Sequence, residues 1–473
     1  MFLSERGWIV AFYVAAALST GTHALLHKRD PRSAWGWIAV CWLFPVFGAV
    51  LYYLFGINRI QTRAVRVFGV DELQLPAVAQ AMQAIPGMED ANVRELIRTG
   101  NALTKRSLCE QNAVQPFLSG AEAYDAMIAA IDAAQIRIDL ATYIFRGDAA
   151  GLRFAGALVR AQARGVVVRV LLDGWSDAVY RPCGSALLTS LGLRPARFLP
   201  PRLVPPMLHI NLRNHRKLLI VDDVIGFTGG MNIHQSHVAG DDGGPGIADL
   251  HFRLTGPVVT QMAQVFDADW GFATDEPTNI RQTAIKHLSG GDVVARIITE
   301  GPNEDVDRLL MIMISAISAA HERLWLMTPY FLPPATLTSA LQAAALRGVD
   351  VSIIIPEHSD QPWMDWATRH TLASLIARKI RFFARPAPFA HTKLMIVDDW
   401  YVQFGSANLD TRSLRLNFEL NVEAYDRRLA ARLAAHFDEV RSASRPIHRD
   451  DLLARSFFRR VRDALCWLGS PYL

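Results

Sequence analysis

His215-Arg216-Lys217-Leu218-Leu219-Ile220-Val221-Asp222 and His391-Thr392-Lys393-Leu394-Met395-Ile396-Val397-Asp398 are two copies of one pattern, HxKxxxxD. After a six-residue gap each is followed by a glycine turn that ends in asparagine, Gly229-Gly230-Met231-Asn232 and Gly405-Ser406-Ala407-Asn408. The aliphatic run between Lys and Asp reads as a strand. Side chains alternate along a strand, so His215 shares a face with Lys217, and His391 with Lys393. A His/Lys/Asn set duplicated with the same spacing predicts one active site assembled from two halves.

Outward from the motifs the chain repeats itself. A strand-like run over 135–145, ending Thr142-Tyr143-Ile144-Phe145, is matched by 322–331, ending Thr328-Pro329-Tyr330-Phe331. Arg164-Gly165-Val166 then opens a β-branched strand reaching Asp173, and Arg347-Gly348-Val349 opens another reaching Pro356. Alanine-rich helical stretches precede both first strands, at 121–134 and 309–320. Strand, helix, strand, twice over, predicts an α/β fold of two tandem domains related by a pseudo-twofold axis. The expected boundaries are a membrane hairpin with its basic flank (1–66), a linker (67–105), a first α/β domain (106–290), a second (291–445) and a basic amphipathic C-terminal segment (446–473).

The motif residues suit a phosphodiester. Its phosphorus is shielded by negative oxygens, which need cations and neutral donors, while the reaction needs an in-line nucleophile and an acid on the leaving oxygen. Lys217, Lys393, Asn232 and Asn408 meet the first need; His215 and His391 can divide the other two roles. Asp222 and Asp398 complete the motif and are grouped with the catalytic set, although their place at its far end suits turn or hydrogen-bond duty better. Asp249 and Glu419, each downstream of its respective His, are placed to orient an imidazole.

Composition narrows the class. With 473 residues, 51% hydrophobic and 20% charged, the chain is packed or membrane-associated and not disordered. A formal charge of +4 gives no nucleic-acid signature. Six of the 49 basic residues are Lys, leaving 43 Arg, and two of the six stand in the motif. In a chain that otherwise chooses Arg, that points to a site wanting a compact ammonium. The four cysteines show no CxxC spacing, and His234, His237 and His251 no metal-ligand spacing, so neither a disulfide framework nor a metal site is expected.

Two apolar runs, 8–26 and 35–56, flank the charged turn His27-Lys28-Arg29-Asp30-Pro31-Arg32. Each is long enough to cross a hydrocarbon core of about 30 Å, which predicts a transmembrane hairpin with a kink at Pro45. A hairpin returns the chain to the side of its N-terminus. Arg6, Arg59, Arg63 and Arg66 then stand against Lys28, Arg29 and Arg32, a count that only slightly favours a cytoplasmic catalytic region. Over 451–468 apolar and Arg residues interleave at helical spacing. This predicts a basic helix attracted to anionic lipid, the alternative being a helix docked on the protein itself.

The two HxKxxxxD motifs with their GGxN and GSxN turns resemble the phospholipase D superfamily. Asn214-His215-Arg216-Lys217, the stretch from Gly405 through Asp410-Thr411-Arg412-Ser413 to Glu419, Thr328-Pro329-Tyr330-Phe331, Lys28-Arg29-Asp30-Pro31 and the terminal Ser470-Pro471-Tyr472-Leu473 are similar to its bacterial cardiolipin synthase branch. The resemblance implies paired phospholipase D-like domains sharing one site and cofactor-free, metal-independent transfer of a phosphatidyl group between two phosphatidylglycerols. It implies His215 as nucleophile, His391 as acid and then base, and a multi-pass protein of the bacterial inner membrane whose partners are phosphatidylglycerol and anionic lipids, not nucleic acid. A hydrolase, or a transferase with phosphatidylethanolamine as donor, would use the same residues, and the symmetry of the halves allows the two His roles to be exchanged.

Overall fold

The aliphatic motif strands Leu218–Val221 and Leu394–Val397 are buried along their whole length. In the computed structural model, which describes residues 5–28, 31–56, 85, 87–201, 212–238, 246–276, 291–301 and 307–470, they lie in one 15-stranded sheet. From one edge the first half runs Ala196–Phe198, Val167–Asp173, Arg137–Thr142, Leu218–Val221, Ile225–Gly229, His251–Thr255, Cys109–Phe117. The second half runs Arg381–Arg385, Asp350–Pro356, Arg323–Met327, Leu394–Val397, Tyr401–Gly405, Glu419–Tyr425, Val293–Glu300, with Arg445–Pro446 added at its outer edge. The halves join through the antiparallel pair Cys109–Phe117 and Val293–Glu300, so the order reads alike from either end. This is the duplicated α/β architecture expected. The three outermost repeated strands of each half are mutually parallel, as strand-helix-strand units require, and the motif strands add antiparallel to them.

The described residues fall into two compact units, the smaller of them holding 5–56 and the larger nearly all of those from 85 onward. Within the larger unit both halves share one sheet, and part of the expected linker belongs to it. Residues 91–104, assigned above to a linker, form the helix Ala91–Thr104, capped by the Asp90 carboxylate. Its apolar face, Val93, Leu96 and Ile97, is packed into the core of the second half. The i, i+3, i+4 spacing of those residues explains both the helix and its burial. Asn101 on the same helix accepts from Arg296 Nη1 at 2.6 Å, and Arg296, fully buried, pairs with Glu423.

In the smaller unit, Gly7–His27 is a helix long and apolar enough to cross a membrane. The second apolar run departs from expectation. It is not one continuous helix, because Pro31–Leu43 and Pro45–Leu51 are separated at Phe44, whose backbone leaves the helical region at φ −134°, ψ 70°. A residue before proline is driven out of the helical region. The chain doubles back there: Trp37 and Tyr52 rings meet at 5.3 Å, where a continuous helix would hold them roughly 22 Å apart. Lys28 Nζ donates to Gly56 O at 2.6 Å, so Gly56 ends beside the charged turn. The expected two-span hairpin is thus one full-length helix and a folded-back pair.

The C-terminal helix Phe457–Leu468 docks on Pro362–Ile376. Asp463, buried, is paired with Arg455 and Arg462, and Cys466 packs against a small cluster containing Met364. The outer face is bare: Phe457 is 72% and Phe458 82% exposed, with Leu465 and Leu468 beside them. Docking on the protein and an apolar, Arg-bearing outer face therefore coexist.

Candidate active site

Alternation on the approach to the first motif strand sorts its side chains by role. Asn214 and Arg216 point away from the cavity to one carboxylate, Asp269, with Asn214 Nδ2 at 3.1 Å and Arg216 Nη1 at 2.5 Å. Arg213, His215 and Lys217 face the other way. Backbone bonds between the halves fix both His: His215 N donates to Phe418 O at 2.9 Å, and His391 N to Ala248 O at 2.8 Å. These bonds bring His215, His391, Asn232 and Asn408 to the wall of one cavity of about 130 Å³. Lys217 Nζ donates to His215 O at 2.6 Å, and Lys393 Nζ to His391 O at 2.5 Å.

The carboxylate pairing is crossed. Asp249 and Glu419 do not serve the His of their own half: Glu419 Oε2 lies 3.0 Å from His215 Nδ1, and Asp249 Oδ2 lies 2.7 Å from His391 Nδ1. Each half thus completes the other's imidazole. With Nδ1 held, Nε2 is the nitrogen that His215 leaves to the cavity, while His391 Nε2 lies 3.1 Å from Lys393 Nζ.

The pseudo-twofold axis is broken at one atom. Gly230 and Ser406 occupy equivalent places in the two glycine turns. The Ser406 hydroxyl donates to Glu419 Oε2 at 2.5 Å, whereas a Cβ on Gly230 would stand 2.4 Å from Asp249 Oδ2. Burial raises both carboxyls. Around Glu419 the charges of His215 and Lys217 and the Ser406 bond outweigh it and leave the group below its ordinary value. Asp249, whose turn has no hydroxyl, is pushed up to about 6 despite the field of Lys393. Burial also lowers His215 to about 4, Lys217 to about 7 and Lys393 to about 8, and takes His391 well down, helped by the two neighbouring ammonium groups. The field of an entering phosphate anion would act in the opposite sense to the two ammonium groups.

The turn asparagines differ too. Asn232 Oδ1 accepts from Ile144 N at 3.1 Å, while Asn408 Oδ1, buried, has no hydrogen-bond partner among the described residues. Asn408 lines the cavity. Asp222 and Asp398, grouped above with the catalytic set, do not line the cavity. Both carboxylates stand at the opposite end of the motif strand. Asp222 accepts from the backbone N–H of Gln135, Ile136 and Arg137, and Asp398 from those of His321, Glu322 and Arg323. At φ 53° and 50° they turn the chain and pin the neighbouring strand.

A family model described as "Cardiolipin synthase, PLD-like domain" matches residues 127–270 and 313–441, and one described as "Phospholipase_D-nuclease N-terminal" matches 8–56. The major cardiolipin synthase of Bacillus subtilis is 31% identical over 456 residues, 94% of this chain and 95% of that protein. The chain belongs to the cardiolipin synthase family with phospholipase D-like domains. A cardiolipin synthase of Oceanobacillus iheyensis is likewise 31% identical, over 95% of each chain. Among solved structures, phosphatidylserine synthase of Haemophilus influenzae covers 80% of this chain and all of its own with a TM-score of 0.64 at 15% identity, a likeness of fold.

Within this family fold the cavity holds residues that the motif reading passed over. Tyr143, Tyr180, Tyr330, Arg213, Asp360, Asp410 and Arg412 all line it. Tyr143 stacks edge-on to His215 at 5.0 Å, with Lys217 Nζ 5.4 Å from its ring. Tyr143 and Tyr330 stand at the ends of the repeated strands, which the sequence displayed without marking them as site residues.

Proposed function

We propose that this protein is a cardiolipin synthase that transfers a phosphatidyl group from one phosphatidylglycerol to another. The observation that carries the reading is the crossed pair of His–carboxylate contacts facing one cavity, in a chain similar end to end to cardiolipin synthases. In the first step His215 Nε2 attacks the donor phosphorus. A P–N bond forms, the P–O bond to glycerol breaks, and His391 gives its proton to the departing oxygen. In the second step the headgroup hydroxyl of another phosphatidylglycerol gives its proton to His391 and bonds to phosphorus, and the P–N bond breaks to free His215. Two phosphatidylglycerols become cardiolipin and glycerol, and the exchange of one phosphodiester for another needs no cofactor.

The unequal carboxylates support His215 as the nucleophile. An ionised Glu419, fixed by Ser406, holds the proton on Nδ1 and stabilises the cationic imidazole that attack creates. Asp249, near 6, forms with His391 a pair that can keep one proton for the leaving group. Lys217, Lys393, Asn232 and Asn408 serve the equatorial phosphate oxygens; Asp222 and Asp398 serve the scaffold.

We propose further that the Gly7–His27 helix spans the bacterial inner membrane and that the folded-back pair beside it returns Gly56 to the side of Lys28. Arg6 then stands on one side and Lys28, with Gly56 beside it, on the other, which by the positive-inside rule favours a cytoplasmic catalytic region. The bare Phe457, Phe458, Leu465 and Leu468, with Arg459 and Arg460 among them, fit a surface of anionic lipid.

Purified protein in vesicles of phosphatidylglycerol with a chelator present tests the reaction. Cardiolipin and glycerol in equal amounts are expected, and phosphatidic acid as the only product would establish a hydrolase instead. Release of ethanolamine from added phosphatidylethanolamine would name the other donor.

A further inference from the structure

Two guanidinium groups line the cavity besides the motif residues, and neither has a counterpart across the pseudo-twofold axis. Arg213 stands two residues before His215 on the same face of the chain, roughly 7 Å along it if extended. Arg412 stands four residues after Asn408 and lines the same cavity. The positions equivalent by the repeat are Phe389, two before His391, and Ser236, four after Asn232, so the halves, which share the motif His, Lys and Asn, diverge here.

The two guanidinium groups come from opposite halves but from segments that touch. Asn214 pairs with Phe418, and Phe418 N donates to Arg213 O at 2.8 Å. The backbone carbonyl of Arg412 accepts from Leu416 N and Asn417 N at 2.8 and 3.0 Å, which fixes its loop. Arg213 lies 4.7 Å over the Trp175 ring and is hydrogen-bonded to Tyr143, whose own ring touches His215. The fields of Arg213 and Arg412 reach each other, and like charges gathered in one cavity favour an anion between them. Each guanidinium also has a carboxylate facing it, Asp173 beside Arg213 and Asp410 beside Arg412; Asp410 accepts in addition from Ser413 N at 2.7 Å and Asp173 from Asn214 N at 2.9 Å.

Resting on the phosphatidyl-transfer reading above, we infer that Arg213 and Arg412 form a second phosphate subsite that binds the intact phosphodiester of the acceptor lipid. The acceptor's headgroup glycerol then spans from this subsite to the phosphorus on His215, which brings its far hydroxyl to the reacting atom. Guanidinium suits that task, since its planar fork grips a phosphate that is to stay unchanged, while the Lys pair serves the phosphate that reacts. A neutral alcohol or water lacks the group that the subsite holds, so the pair favours lipid-to-lipid transfer over hydrolysis.

The test uses full-length protein, phosphatidylglycerol as donor, and two soluble acceptors with the same terminal hydroxyl: glycerophosphoglycerol, which carries the phosphodiester, and isotopically labelled glycerol, which does not. Arg412→Gln and Arg213→Gln should each cut the kcat/KM ratio of glycerophosphoglycerol to glycerol at least tenfold, and Arg412→Lys should cut it less. An unchanged ratio, with both acceptors slowed together or neither slowed, would overturn the subsite. If the wild-type protein joined no acceptor to the phosphatidyl group and gave phosphatidic acid alone, the transfer reading itself would fall, a result separable from failure of the subsite.

Discussion

An activated leaving group separates the two histidines. A phosphatidyl ester of p-nitrophenol departs without a proton, whereas the glycerol of phosphatidylglycerol needs one. His391 is buried with Asp249 Oδ2 2.7 Å from Nδ1 and so is positioned to supply it. General acid catalysis contributes about 10²–10⁴-fold, or about 3–5 kcal/mol of barrier. His391→Ala, and more mildly Asp249→Asn, should therefore slow phosphatidylglycerol cleavage by about that factor, while a stopped-flow burst of nitrophenol persists at up to one per chain. His215→Ala should abolish the burst. Glu419→Gln should nearly do so, by roughly 10³–10⁴-fold, because a neutral amide no longer fixes the proton on Nδ1. A burst from His215→Ala and none from His391→Ala would reverse the roles and refute the argument built on Ser406.

Three further outcomes follow from particular contacts. kcat/KM should be bell-shaped, with an acid limb near 4, where His215 takes up a proton and can no longer attack, and an alkaline limb that begins near 6, where the Asp249–His391 pair loses the proton it keeps for the leaving group, and continues between about 7 and about 8, where Lys217 and Lys393 lose theirs; a rate constant across that range contradicts the assignment. Gly100→Ala places a Cβ 1.8 Å from Arg296 Nη2 in a fully buried ion pair and should cost about 3 kcal/mol in chemical unfolding, and a change below about 0.5 kcal/mol would count against the packing. Asp398→Ala strips the acceptor from three backbone N–H groups and should lower stability by about 2–3 kcal/mol; specific activity of the remaining folded protein below a tenth of wild type would return Asp398 to the catalytic set.

The sequence made the duplicated α/β fold and the His/Lys/Asn set legible because both rest on local periodicity and on repetition. What it could not display depends on chain crossing. Asp249 and Glu419 were visible as carboxylates near each motif, but their exchange between halves arises only when Asn214 pairs with Phe418 and Ala390 with Ala248. Ser406 stood in plain view in the second turn, yet its meaning required the Gly230 comparison and the carboxylate beneath it. The helix Ala91–Thr104 hid in a polar stretch whose apolar stripe is short, and Pro45 signalled a bend without revealing that the chain reverses there.

The covalent intermediate tests the central claim most directly. Full-length protein mixed with acyl-labelled phosphatidylglycerol, quenched within the first turnover, kept at alkaline pH and digested, should carry the label on the peptide containing His215, at close to one per chain. Cardiolipin accumulating with no labelled histidine, or with the label on the peptide containing His391, would contradict the account.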